Sequence, residues 1–172
     1  LMTPAKEAWA ANVASGQYDG PMLVVLIMMI IGLCIKSGLY PFHTWIPDAY
    51  GYTTPAASAI LSSLVSKGYI FLLVKLMYRV YGIDNLISSR MFNILFVFGI
   101  VAMMAGSIAA IREDNICRMT AYSSVAQIGY IYMGIGLGTT IGFTAAMFHI
   151  ISHALMKSTL FIAASGLAEV SN

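Results

Sequence analysis

His149, His153 and Lys157 fall four residues apart in the segment AMFHIISHALMKSTLF. On a helix, with about 1.5 Å of rise and 100° of turn per residue, this spacing makes one row with successive groups about 6 Å apart. Histidine changes charge nearest to neutral pH and lysine is a compact proton carrier, so such a row can pass a proton through bridging water. The residues around it are apolar, and a lysine at the centre of a membrane helix costs about 2.5 to 3.5 kcal/mol, so these groups are expected to face protein or internal water. Metal binding by the two histidines is disfavoured: no carboxylate or cysteine lies between Thr140 and Leu167, and a cation follows one turn on.

Two further lysines stand alone in apolar runs. Lys36 lies five residues before Pro41 in KSGLYP, where Ser37, Gly38 and the proline can unwind a helix. Unwound backbone at membrane depth is tolerated where it lines a cavity. Lys67 follows Ser58, Ser62, Ser63 and Ser66, with Ser63 one turn before it, which predicts a half-polar helix face. Thr120, Ser123, Gln127 and Tyr130 recur at three, four and three residues, a polar stripe directed at protein. The expected proton-transfer groups are therefore Lys36, Lys67, His149, His153 and Lys157, supported by Ser63, Ser123 and Gln127. A single membrane histidine can equally serve packing, and a basic residue at a helix end usually snorkels; Lys75, Arg79, Arg90, Arg112 and Arg118 are read as interfacial on that ground.

The elements that must hold these groups are membrane helices. Of 172 residues, 59% are hydrophobic and 9% charged, with a mean hydropathy of +0.83, whereas a soluble domain is charged at about a quarter of its positions. Five apolar runs, at about 21–39, 56–78, 91–111, 117–137 and 140–167, read as membrane crossings, the first of them close to the 20 or so residues that a crossing needs. Backbone in lipid must be bonded internally, so the runs are helices. Pro41 and Pro47 rule out one continuous helix through the link from Tyr40 to Pro55, and the first helix is expected to break near Lys36 to Pro41. Residues 1–20 read as a loop or interfacial segment with a short amphipathic helix around Ala5 to Ala14. Gly99 and Gly106 let the third helix approach a neighbour.

The seven acids, Glu7, Asp19, Asp48, Asp84, Glu113, Asp114 and Glu169, all lie in links or at ends. The buried lysines thus lack a carboxylate within these runs and call for one from elsewhere. Cys34 and Cys117 have no metal-like spacing and read as small buried hydrophobes. A net charge of +2 without a basic, aromatic-interleaved run excludes nucleic acid as a partner. A first residue other than Met and an apolar run close to Asn172 give the chain the look of part of a longer protein.

The segments KSGLYPFHTWIPDAYGYTTPAASAILSSLVSKGYIFLL, EDNICRMTAYSSVAQIGYIYMGIGLG and HIISHALMKSTLFIAASG resemble, in this order, the antiporter-like membrane subunits of respiratory complex I, energy-converting hydrogenases and Mrp-type cation/proton antiporters. The resemblance implies an all-α integral membrane subunit of about fourteen helices with two inverted five-helix repeats. This chain would hold the last two helices of the first repeat and three of the second, as a partial proton-conducting domain over 21–172. It also implies that Lys36 matches the lysine of the first broken helix and Lys67 the bridging lysine. His149, His153 and Lys157 match the central histidine and lysine helix. The glutamate that pairs with the first lysine would lie before Leu1, and the second broken-helix lysine after Asn172. Lys67 and SHALMKSTLF look more like the Mrp and hydrogenase branches than the distal complex I subunit. YGYTT, Tyr50 to Thr54, departs from the usual polar, proline-rich link.

The function so implied is proton translocation within a redox-driven or antiporting complex, in a prokaryotic cell membrane. The expected partners are other membrane subunits, the lipid bilayer, protons and, for an Mrp-type exchanger, sodium. No cofactor is expected to be bound by this chain and no reaction catalysed by it alone. A structural subunit whose basic residues only hold lipid or neighbours is the third reading. Lys6, Lys75, Arg79 and Arg90 against Arg112 and Arg118 would put Leu1 in the cytoplasm. The family arrangement implies the reverse and is preferred.

Overall fold

The computed structural model describes residues 7–8, 11, 20–81 and 90–171, and among them there are helices and turns and no strand. The amphipathic stretch expected around residues 5–14 falls largely outside them; Glu7, Ala8 and Ala11 are helical.

Helix α1 covers Gly20–Ser37. It stops where Gly38 adopts a φ of 82°, a left-handed conformation that a Cβ opposes, and where a Cβ would also collide with the Ile46 side chain. The carbonyls orphaned at this stop find partners nearby. Cys34 O accepts from the amides of Gly38 and Leu39, each at 3.0 Å, and from Ser37 Oγ at 3.1 Å. Trp45 Nε1 donates to Ile35 O at 3.0 Å. The broken backbone is thereby satisfied without lipid.

The link from Tyr40 to Pro55 is not all loop. It holds a short helix, α2, at Trp45–Gly51. Pro47 is accommodated because the first turn of a helix has no intrahelical acceptor for its missing N–H. Helix α3 follows over Pro55–Tyr81, with the proline in its first turn. Two wider π turns interrupt it, at Leu61–Val65 and Met77–Tyr81.

Helix α4 covers Met91–Ile111 and α5 covers Ile116–Gly136. The Asn115 side chain caps α5 by accepting from the amides of Cys117 at 2.9 Å and Arg118 at 3.1 Å. The last helix, α6, spans Thr140–Ser171. Among the described residues α3 thus continues past Tyr78 to Tyr81, and α6 past Leu167 to Ser171.

Within α3, α4 and α6, Pro55–Tyr81, Met91–Ile111 and Thr140–Ala164 are long and apolar enough to cross a membrane, and α1 contributes the shorter apolar stretch Val24–Ser37. Helix α5 matches α4 in length but carries the hydroxyl stripe, much of it turned inward. Outer faces are apolar, with Met28, Leu64, Val97, Phe148 and Leu155 exposed. That is an inside-out surface for water and a suitable one for lipid or further helices.

Helices α4 and α5 pack most tightly. Gly99, Gly106 and Gly129 let the two backbones touch: a Cβ on Gly106 would stand 2.6 Å from Ala126 N, and one on Gly99 2.9 Å from Gly129 O. Dispersion between close backbones replaces the hydrophobic drive that lipid cannot supply.

Candidate functional site

Lys157 lies on α6 with a relative exposure of 3%. Its ammonium donates to Thr120 O at 2.8 Å and to Ser123 Oγ, both on α5. One buried cation thus spans the two helices. Thr120 O also accepts from Ser123 Oγ at 3.0 Å and Ser124 Oγ at 3.1 Å, a dense local set of dipoles facing the charge. Four residues earlier, His153 is fully buried, and neither of its ring nitrogens has a hydrogen-bond partner among the described residues. His149 stacks on it with ring centroids 6.1 Å apart and planes 13° off parallel. Tyr130 of α5 packs against His149 at 5.8 Å.

Helices α5 and α6 run antiparallel, so Thr120 and Ser123 meet Lys157 at one end of the row and Tyr130 meets His149 at the other. Gln127 occupies the same face of α5 between them; it is half-buried and makes no hydrogen bond with the described residues. The stripe on α5 therefore faces the row on α6.

Lys67 of α3 is 3% exposed, and its ammonium donates to the Ser62 carbonyl. That carbonyl belongs to the first π turn, whose wide register leaves backbone oxygens open to side-chain donors. The π turn beside Lys67 packs directly against α6, the helix that carries His149, His153 and Lys157. Ser63 is buried, but its Oγ turns back to Ala59 O at 2.6 Å and makes no bond to Lys67. Four of the five expected groups, Lys67, His149, His153 and Lys157, thus form one cluster on α3 and α6.

Lys36 does not join it. Leu26, Ile30, Cys34 and Ser37 form the buried stripe of α1, and Lys36 lies off that stripe on an exposed face of the last turn. Its neighbour Ser37 does point inward, with Oγ 2.7 Å from the hydroxyl of the fully buried Tyr132 on α5. This hydroxyl pair ties the broken end of α1 to α5.

Arg118, expected at the interface, also acts as a clamp. Its guanidinium pairs with Asp48 of α2 at 2.5 Å and with Glu113 at 3.1 Å, and lies 5.6 Å above the ring of Tyr52. A Cβ on Gly51 would come within 2.6 Å of Arg118 Cγ, so the glycine makes room for this crossing. The atypical YGYTT link therefore supplies part of the clamp. Replacing Arg118 with alanine is expected to loosen α2. Amide hydrogen exchange over residues 48–52 should rise severalfold while α4 stays unchanged, and high salt should weaken the wild-type protection in the same direction.

A family model described as "NADH:quinone oxidoreductase/Mrp antiporter, TM" matches residues 9–171. The chain is 36% identical over 151 residues to NADH-quinone oxidoreductase subunit N of Desulforudis audaxviator, covering 87% of this chain and 30% of that protein. Among solved structures, the Mrp complex from Dietzia sp. superposes with a TM-score of 0.76 at 31% identity, over 86% of this chain and 27% of the other. The archaeal membrane-bound sulfane sulfur reductase, described as a respiratory membrane complex, gives a TM-score of 0.75 at 31% identity, over 93% and 27%. The chain thus spans less than a third of the length of each, and the matches cross the complex I, Mrp and respiratory branches at similar identity.

Proposed function

Because the chain belongs to the NADH:quinone oxidoreductase/Mrp antiporter transmembrane family, and is therefore an integral membrane protein, we propose that it carries the central section of a proton-translocating path. The groups of that path are Lys67, His149, His153 and Lys157. The observation that carries the reading is the buried cluster itself: two lysines, and an imidazole whose nitrogens have no hydrogen-bond partner among the described residues, enclosed by helices with apolar outer faces. Like charges in a low-dielectric interior repel, so a proton arriving on Lys67 favours release of one from Lys157, on the side away from Lys67, with His149 and His153 in the same row to relay protons through water. Thr120 O and Ser123 Oγ hold the outgoing ammonium, and the Ser62 carbonyl holds the incoming one. Lys36 would load the path from its exposed side of the break, where the carboxylate implied by the family resemblance would face it.

The working unit is a multi-subunit membrane complex, as it is for the relatives. Proton translocation within a redox-driven assembly is the leading form. The likeness to an Mrp complex supports a second form, sodium/proton exchange. A purely structural role for the lysines is disfavoured by Lys67, which stands midway between Pro55 and Tyr81 and is buried.

The test uses the full-length protein in its complex, in closed vesicles, with Lys67→Met. Proton translocation is expected to fall at least tenfold while the complex still assembles. Undiminished translocation would sink the proposal. Sodium-dependent pH recovery without an electron donor, abolished by the same substitution, would select the exchanger over the redox-driven pump.

A further inference from the structure

The π turn that shapes the Lys67 site is held from outside its own helix, and the side chain that holds it is Tyr50. Tyr50 sits on α2 and is 1% exposed. Its hydroxyl lies 2.7 Å from Ser66 Oγ and 3.3 Å from Leu61 O, while Ser66 Oγ lies 3.5 Å from the same carbonyl. Two hydroxyl protons serve three oxygens. Either Tyr50 donates to Leu61 O and Ser66 to Tyr50, or Ser66 donates to Leu61 O and Tyr50 to Ser66. In both arrangements the first carbonyl of the π turn receives a side-chain donor in addition to the Ser66 amide.

That extra donor matters because a π turn is rare and unfavourable on its own. Its persistence requires partners for the oxygens it exposes. Tyr50 and Ser66 serve Leu61 O, and Lys67 serves Ser62 O. Relaxation to an α turn would remove about one residue of winding and rotate Lys67 by roughly 100° about the helix axis, away from the groups on α6. Tyr50 is itself fixed from both sides: Trp45, which caps Ile35 O at the break, meets its ring edge-on at 6.0 Å, and Phe161, one turn beyond Lys157, meets it at 5.9 Å. Helix α2 thus links the break beside Lys36, the Lys67 turn and the Lys157 helix through one ring.

We propose that Tyr50 is a positioning residue for Lys67: its hydroxyl locks the π turn that directs the lysine toward the row of His153 and Lys157 on α6. The inference rests on the proton-path reading above. It makes Tyr50 a control point for transfer without being a proton carrier.

Helix α6, which packs against this π turn, carries His149, His153 and Lys157. Among the other packed helices, α1 carries the exposed Lys36, and the Asp48 carboxylate of α2 is engaged by Arg118. The lysine's protonation is therefore sensitive to its distance from three cationic or basic neighbours. Tyr50→Phe keeps the ring contacts and removes the hydroxyl. In vesicles holding the full-length protein in its complex, Tyr50→Phe is expected to lower proton translocation two- to tenfold, the scale of one hydrogen bond. It should also displace the pH midpoint of the rate by about half a unit or more. Ser66→Ala should do the same, and the double variant should be no worse than either single one, since both break one network. If Tyr50→Phe fails to assemble, Ser66→Ala carries the test alone. A wild-type rate and midpoint in an assembled Tyr50→Phe or Ser66→Ala complex would overturn the proposal. Lys67→Met separates the two claims: if it abolishes transport while Tyr50→Phe changes nothing, only the positioning role fails, and if Lys67→Met is silent the proton path itself fails.

Discussion

Gly129→Val is expected to prevent the protein from accumulating in the membrane. A Cβ at this position would stand 2.6 Å from Met103 N, 2.7 Å from Gly99 O and 3.1 Å from Ala102 C, all of them backbone atoms of α4. A flexible side chain could swing aside, but helix backbone cannot, so α4 and α5 would have to separate along the whole crossing. Overpacking in a core costs about 1 to 3 kcal/mol where side chains can adjust, and this site belongs at or above the top of that range. Against a total stability of about 5 to 15 kcal/mol the loss is severe. Gly32→Ala is the contrasting case: nothing lies within 4 Å of its Cβ, and a helical alanine gains about 0.5 to 1 kcal/mol over glycine. Thermal unfolding in detergent should show the first variant missing or melting far below wild type and the second at or slightly above it.

Lys157→Met should abolish proton translocation while leaving the fold intact. Removing one partner of a buried charged pair usually damages a protein because the other charge is left alone. Here the partners are a carbonyl and a hydroxyl. Thr120 O keeps the hydroxyls of Ser123 and Ser124 after the ammonium is gone. Methionine fills most of the lysine's volume and is far easier to keep in lipid. Expression and unfolding temperature should therefore match or exceed wild type. Proton flux should drop at least tenfold, because the row loses the ammonium that bridges α6 to the Thr120 carbonyl and Ser123 hydroxyl of α5. Arginine at this position should not restore flux, since its guanidinium stays protonated and cannot release a proton.

Much of this arrangement is legible in the residues, and the rest is absent for identifiable reasons. Spacing of four along one helix is enough to align His149, His153 and Lys157. The hydroxyl stripe of α5 is equally readable, and it does meet that row through Thr120, Ser123 and Tyr130. Lys36 shows where such reasoning stops. A proline-glycine break marks it as unusual, but its distance from the other lysines depends on how α1 rotates, and the buried stripe through Cys34 and Ser37 turns it outward. The π turn at Leu61–Val65 leaves no mark in a hydropathy pattern, because its backbone oxygens are matched by donors from α2 and from Ser66 and Lys67 of the same helix. Helix α2 was hidden by Pro47, since a proline fits a first turn as readily as it ends a helix. Arg118 looked like one more rim cation, and only the fold brings Asp48 and Glu113, far apart in the chain, to the same guanidinium.

A mutant cycle on proton flux addresses the claim that these groups form one path. Lys67→Met, Lys157→Met and the double variant would be measured side by side in closed vesicles, as full-length protein in its complex. If the lysines are successive stations on a single track, each substitution alone brings flux to the same floor and the double variant falls no further. Two partial losses that multiply in the double variant, or a single variant that translocates at the wild-type rate, would contradict the account.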